Sequence, residues 1–353
     1  MATTTAADLS AADVAWDLEP LVDGRGEPGV DALLDDADRV AASIAERRGT
    51  VAALDGGELA AVMQELASLA ELVGRAGSYA QLRFSVDTTD PACGALLQRV
   101  EERATAINTK TLFFDLEWAA VPDERAEELL SDDRLAFCRH YLTAARRYRP
   151  HLLSEPEELV MTEKAVTGRG AWTRLFSELT STIEVDLDGG RVSLEEALSR
   201  LTSPERDDRR AAAEAVTHAL APGLRTRAFV FNTLLADKAV DDRLRKYPDW
   251  IASMNLANEA SDESVRALVA AVQGRYDIPQ RWYALKARVL GLDRLADYDR
   301  MASVADEESE FGWREARELV LDAYGSFSDE LANTAELFFD GWIDAPARPG
   351  KRP

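Results

Sequence analysis

Residues 56–73 read GGELAAVMQELASLAELV, and residues 91–114 read PACGALLQRVEERATAINTKTLFF. In the first stretch Leu59, Val62, Met63, Leu66, Leu69 and Val73 recur at steps of three and four. In the second, Leu97, Val100, Ala104, Ile107 and Phe114 lie on one helical face. This period gathers the apolar side chains on one side of an α-helix and leaves the charges on the other. Neither stripe can be buried alone, so the two helices are expected to pack as an antiparallel pair. A mainly α fold follows from that pair.

Working outward towards the start, Gly56-Gly57 separates this pair from a helix expected over about Val30–Arg48, itself preceded by the break at Pro28-Gly29. Trp16-Asp17-Leu18 is a first anchor, and residues 1–15 form a small, polar, flexible tail. Towards the end, Pro122 starts a new unit. A helix is expected over Asp132–Tyr148, stopped by Pro150. Ser154-Glu155-Pro156-Glu157 has the spacing of a capping box, with a helix running from it to Gly168-Arg169-Gly170. Trp172–Ser181 reads as helix, with Trp172, Leu175, Phe176 and Leu179 on one face. The period then changes to two. Thr182–Leu187 alternates, Asp188-Gly189-Gly190 turns and Arg191-Val192-Ser193 returns, which is a β-hairpin. Ser193 and Glu196 cap the next helix. An Ala-rich helix from Ser203-Pro204-Glu205 towards His218 is interrupted by Pro222-Gly223, and a second helix runs to about Val240. Further helices fill Ser261–Phe339, punctuated by Pro279, Gly291 and an acidic loop near Asp306.

The 353 residues carry a formal net charge of −23. Such a chain repels phosphate backbones and anionic lipid, so neither nucleic acid nor membrane is expected as a partner. The Arg146, Arg147 and Arg149 patch reads as a set of ion-pair partners. Cys93 and Cys138 are far apart and lack a CxxC pattern, so they are expected to be reduced and buried. The start has no basic flank or apolar core, and no run of roughly eighteen apolar residues occurs. A soluble, cytoplasmic protein is the expectation.

A hydrolytic zinc centre takes three converging ligands, and the three histidines, His140, His151 and His218, are far apart in sequence. His151 and Glu155 are four apart but are bracketed by Pro150 and Pro156. Asp186–Gly190 resembles a calcium loop only faintly, with Arg191 at its sixth position and Ala197 at its twelfth. No GxSxG elbow occurs, and Gly168-Arg169-Gly170 lacks the length and the Lys-Ser/Thr ending of a phosphate loop. Acidic pairs such as Glu157-Glu158 and Glu195-Glu196 sit in first turns, where the helix dipole favours them. The aromatic residues of the last third read mostly as core.

Several strings, in order, carry a resemblance. They are Trp16-Asp17-Leu18; Arg149-Pro150-His151-Leu152-Leu153-Ser154; Ala171-Trp172 with Leu175-Phe176; and Asn232, Asp237 and Arg243. Then come Arg281-Trp282-Tyr283 with Lys286 and Leu290-Gly291-Leu292; Tyr298-Asp299-Arg300; and finally FFDGWIDAPARPGKRP over Phe338–Pro353. Together the chain resembles the oligoendopeptidase F family of zinc metallopeptidases, relatives of thimet oligopeptidase and neurolysin, from Trp16 to Pro353. The resemblance implies a mainly α, two-lobed peptidase with a deep channel for short oligopeptides and with Zn2+ as cofactor. It implies a long-helix region over 16–120, a family-type helical domain with the hairpin over 121–193, and the start of the catalytic domain over 194–353. The family's HExxH has no counterpart here, so the chain is expected to be truncated before the zinc site and inactive by itself. No catalytic or metal residue is transferred to it. Tyr298, Asp299, Lys351 and Arg352 are the expected channel neighbours, and apolar surface is expected exposed from Leu319 to Trp342. The alternative is a complete, non-catalytic helical module that binds peptides or a partner protein.

Overall fold

The computed structural model describes residues 11–304 and 311–352. Most of the expected tail, the acidic loop at Asp306 and the final Pro353 lie outside the described residues. Helix α1 (Glu27–Ala45) is followed by α2 (Gly56–Val86), α3 (Pro91–Thr111) and α4 (Phe113–Ala120). Asp55 starts α2 by accepting from the Gly57 and Glu58 amides at 2.7 and 3.0 Å, while Glu58 accepts from the Asp55 amide at 2.9 Å. This reciprocal cap satisfies amides that a helix start would leave orphaned. Asp90 caps α3 through the Ala92 amide at 2.8 Å.

Helices α2 and α3 pack together, but α1 packs on both, so the expected pair is a three-helix layer. The reason is a third stripe: Val30, Leu33, Leu34, Ala37, Ala41 and Ile44 are all buried on α1. The helix expected to run through Phe114 breaks at Leu112. Phe113, Phe114 and Trp118 of α4 thereby enter the core, where the Trp118 indole donates to the Leu142 carbonyl at 2.8 Å.

After α5 (Asp123–Leu130), the single helix expected over Asp132–Tyr148 is two pieces, a 3-10 turn Asp133–Leu135 and α6 (Arg139–Arg146). Asp132 caps the first piece through the Arg134 amide at 2.9 Å. Arg139 reaches back to the Leu130 carbonyl at 2.7 Å and holds the break. The Arg146 and Arg149 patch does pair with acid, both guanidiniums meeting Asp123.

Helix α7 (Glu155–Ala165) starts with Glu157 accepting from the Ser154 amide at 2.9 Å. It ends as expected: Gly168, at φ −98° and ψ −112°, leaves helical geometry, and the chain kinks within Val166–Gly170 before α8 (Ala171–Ser181) begins. The apolar side of α8 is not buried. Leu175 and Phe176 are exposed, and the buried residues are Ser177 and Ser181.

Strands β1 (Glu184–Leu187) and β2 (Gly190–Ser193) form the expected antiparallel hairpin, with Val185 opposite Val192. Asp188 and Gly189 both take positive φ, 55° and 78°, which matches the twist of a two-residue turn. Helices α9 (Leu194–Ser199), α10 (Arg206–Leu220), α11 (Leu224–Leu244), α12 (Ala252–Ala257), α13 (Asp262–Gln273), α14 (Asp277–Val289), α15 (Trp313–Phe327) and α16 (Asp329–Phe339) complete the chain. Pro279 does not interrupt; it sits in the first turn of α14, where its missing amide costs nothing.

Burial is uneven. One continuous core runs from Val22 to Leu142 and includes both cysteines, which are free thiols. A second, small cluster joins Val185, Leu187, Ala197 and Val216. Beyond it, α13, α15 and α16 bury no residue at all. Trp250 is 73% exposed and Phe327 84%. From Leu319 to Trp342 the large apolar side chains stand largely exposed, as expected from the sequence.

Candidate functional site

The four residues singled out from the sequence fall in two places. Lys351 and Arg352 belong to a C-terminal strap, residues 341–352, that folds back over the end of α2. The Gly341 carbonyl accepts from the Asp17 amide at 2.7 Å, and the Ala345 amide donates to Val14 at 2.9 Å. Further on, the Gly350 carbonyl accepts from both the amide and the hydroxyl of Thr88, at 2.8 and 2.9 Å. The Gly350 amide donates to Ser181 at 3.1 Å, and the Arg352 amide to Ser85 at 2.7 Å. Thr88 and Ser181 share a hydrogen bond of 2.6 Å between their hydroxyls. This explains why α8 turns Ser181 inward: the strap meets a donor and acceptor there, not a methyl group, while Ser177 donates to the Thr173 carbonyl of its own helix at 3.2 Å. Gly350 has φ +80°, and a Cβ on it would meet Thr89 Cγ2 at 3.0 Å.

Asp344 organises the strap. Its side chain is 2% exposed and takes Arg348 Nη2 at 2.9 Å and Lys351 Nζ at 2.6 Å. The Lys351 ammonium also donates to the Asp344 and Pro346 carbonyls at 2.8 and 2.9 Å. All three of its protons are therefore engaged within the strap. The Arg352 side chain is exposed and borders two clefts, one on each side of the strap. The larger, about 660 Å³, lies between α2, the start of α9 and the strap, with Trp16 at its edge.

Tyr298 and Asp299 lie elsewhere, in the loop after α14. Asp299 is fully buried. It accepts from Arg206 Nη2 at 2.9 Å, Arg209 Nη2 at 3.0 Å and the Ala296 amide at 2.8 Å. Burial pushes its carboxyl up, but the Arg206 guanidinium, the Ala296 amide and Arg209 outweigh that and hold it at about 2. The Tyr298 ring lies under the Arg206 guanidinium, 5.6 Å from its centroid. Lys286, also buried, donates to the Arg300 carbonyl at 2.7 Å, and burial followed by Arg209 lowers its pKa. Among the described residues, no hydrogen bond or ion pair links this cluster to Lys351 or Arg352.

A third polar junction was not foreseen. Glu158 of α7, 6% exposed, forms a two-pronged pair with Arg245 just after α11, at 2.7 and 2.8 Å. The Leu153 amide adds a bond to Glu158 at 2.9 Å. His151 donates at the same corner: its Nδ1 is 2.8 Å from the Arg245 carbonyl, and its ring stacks on Tyr247 at 3.9 Å. His140 instead meets Glu259 at 2.9 Å. No group of three or more His, Cys, Asp or Glu side chains among the described residues is placed to hold a metal ion. None of the described helices is long and apolar enough to cross a membrane.

Comparison with known proteins decides what this architecture is. Residues 117–184 match the family model described as Oligopeptidase F. Oligopeptidase PepF of Bacillus subtilis is 23% identical over 292 residues, covering 80% of this chain and 43% of that protein. By these matches the chain is similar to the oligoendopeptidase F family. Group B oligopeptidase PepB of Streptococcus agalactiae is similar at 25% identity over 288 residues, 78% of this chain and 47% of that one. Among solved structures, oligoendopeptidase-F from Enterococcus faecium superimposes with a TM-score of 0.71 at 17% identity, over 89% of this chain and 68% of that one. The mainly α fold is thus the fold of the oligoendopeptidase F family. The chain spans less than half the length of the curated relatives it matches.

Proposed function

We propose that this chain is the N-terminal part of a zinc-dependent oligoendopeptidase, an enzyme that hydrolyses internal bonds of short, unfolded peptides. The observation that carries the reading is the Oligopeptidase F match over residues 117–184. On this reading residues 16–120 and 121–193 form one lobe, and residues 194–353 begin the catalytic lobe. Among the described residues, none are placed to form a zinc centre. His140 and His151 are engaged in separate corners, and no further ligands converge on either. Zinc would supply an activated water, and we assign its ligands to the length of the relatives that this chain does not span. No hydrolytic step is derived for the residues present.

The uneven burial supports the same reading. Helices α13 to α16 present Leu268, Val272, Phe327 and Leu337 to solvent. Apolar surface on that scale is a packing face for something else, and we propose that the remainder of the enzyme covers it. Arg352, and through it the strap held by Lys351, would border the peptide channel. Tyr298 and Asp299 would fix the channel wall by joining α10 to the loop after α14.

The test uses an internally quenched peptide of about eight residues, a chelator and metal analysis. The 353-residue chain is expected neither to cleave the peptide nor to retain stoichiometric zinc. Protein made from a longer reading frame that contains this chain is expected to do both, with activity lost to the chelator. Zinc-dependent cleavage by the 353-residue chain, or no cleavage by the longer protein, overturns the proposal.

A further inference from the structure

The second cleft that Arg352 borders, about 460 Å³, lies between α2, α3 and the kinked segment Val166–Gly170 that joins α7 to α8. Its size is that of a small-ligand site. Phe84, Leu97 and Val166 give it an apolar lining, and three arginines, Arg169, Arg174 and Arg352, reach it from three different segments.

Their surroundings differ. Arg174 is preset: it pairs with Glu178 at 2.8 Å and stacks over Phe84 at 5.3 Å. Gly94 makes room for it, since a Cβ there would lie 2.6 Å from Nη2. Arg169 has no such partner. Every other arginine from Arg25 to Arg191 has a carboxylate within ion-pair distance. Arg169 has none among the described residues, and neither does the Arg352 guanidinium. Carboxylates outnumber basic residues in this chain by 64 to 41, so unpaired guanidiniums at one cleft are not a shortage of acid. The one carboxylate in the lining, Glu101, is half-buried; burial raises its pKa while Arg174 lowers it, and it makes no ion pair with Arg169 or Arg352.

We propose that this cleft binds the free α-carboxylate of a short peptide, between Arg169 and Arg352, with the terminal side chain against Phe84 and Leu97. Guanidinium suits a carboxylate because its planar donors match both oxygens. An apolar lining beside those donors selects a peptide end over a bare inorganic anion. The inference rests on the peptidase reading for its ligand class, and it adds a C-terminal subsite on the N-terminal lobe.

Calorimetric titration of the 353-residue chain tests it, with an acetylated pentapeptide of four alanines and a terminal leucine. The peptide is used as the free acid and as the amide. The acid is expected to bind about ten-fold tighter or more, as loss of a charge-assisted pair dictates. Arg169→Gln and Arg352→Gln are each expected to remove that preference, with the circular dichroism melt unchanged, and Arg169→Lys to restore part of it. Equal binding of acid and amide, binding of neither, or a preference that survives the double Gln variant overturns the proposal. So does inorganic phosphate binding with the same Arg169 dependence while the peptide acid shows none. Cleavage by a longer protein is read separately. Cleavage of both peptides without acid preference keeps the peptidase reading and removes this one. An acid preference without any cleavage does the reverse.

Discussion

Replacing Asp299 by asparagine tests whether the buried carboxylate holds α10 to the loop after α14. The side chain is fully buried, and its two guanidinium partners come from one face of α10. Its carboxyl titrates at about 2 against an ordinary 3.8, a difference worth about 2 kcal/mol at neutral pH. Because the folded value is depressed, this stabilisation is complete above the ordinary carboxylate range and is lost as pH falls towards the folded value. Between pH 6 and pH 3 the wild type should lose about 1 kcal/mol of it, while Asp299→Asn, which does not titrate, loses none. Hydrogen exchange is the suitable assay, because it reads α10 and residues 296–302 without requiring the whole chain to unfold in one step. At pH 6 the variant should show about 30-fold lower protection there, the equivalent of about 2 kcal/mol. At pH 3 the gap should be about five-fold narrower. Equal protection in the two proteins at pH 6, or a gap that stays constant to pH 3, would refute the assignment of the charge as the fastener.

Three other perturbations separate the remaining fastenings. Glu158→Gln leaves the Arg245 guanidinium facing a neutral amide at a corner that is nearly closed to solvent, and should cost about 3 kcal/mol; an unchanged urea midpoint would show that α7 and α11 are held by something else. Gly350→Ala puts a Cβ at φ +80° and 3.0 Å from Thr89 Cγ2, costing about 1–2 kcal/mol; faster exchange at the amides of Thr88 and Arg352 is the expected sign, and unaltered exchange would mean that the strap tolerates the strain. Trp118→Phe removes the donor to the Leu142 carbonyl inside the core and should lower stability by about 1–3 kcal/mol; a melt within a degree of wild type would show that water or another donor replaces it.

What could be read from the sequence was local. The stripes on α2 and α3 and the Asp188-Gly189 turn each follow from residues within a few positions of one another, and the structure has them. The two breaks that were misplaced, at Leu112 and around Cys138, are decided by distant packing. The burial of Trp118 against Leu142 requires α4 to leave the line of α3, and no residue near Leu112 announces it. Gly168 was legible for the same local reason. Glycine removes the penalty for leaving helical geometry, and the chain kinks there before α8 begins.

The polar junctions were illegible because their partners are far apart: Glu158 and Arg245 by 87 residues, Asp299 and Arg209 by 90. Composition reported only that acid was in excess. One junction did leave a local trace. Asp344 precedes Arg348 by four residues and Lys351 by seven, a lone carboxylate ahead of two cations, and the strap closes on it. The same view reverses the meaning of Arg169. Read along the chain, it is an arginine between two glycines at a helix stop. In the folded molecule it is the arginine of its half of the chain that acid-rich surroundings leave unpaired, on the wall of a cleft where Arg174 is fixed by Glu178. A charge kept without a partner in so acidic a chain is informative about what binds there, because every other arginine from Arg25 to Arg191 forms an ion pair.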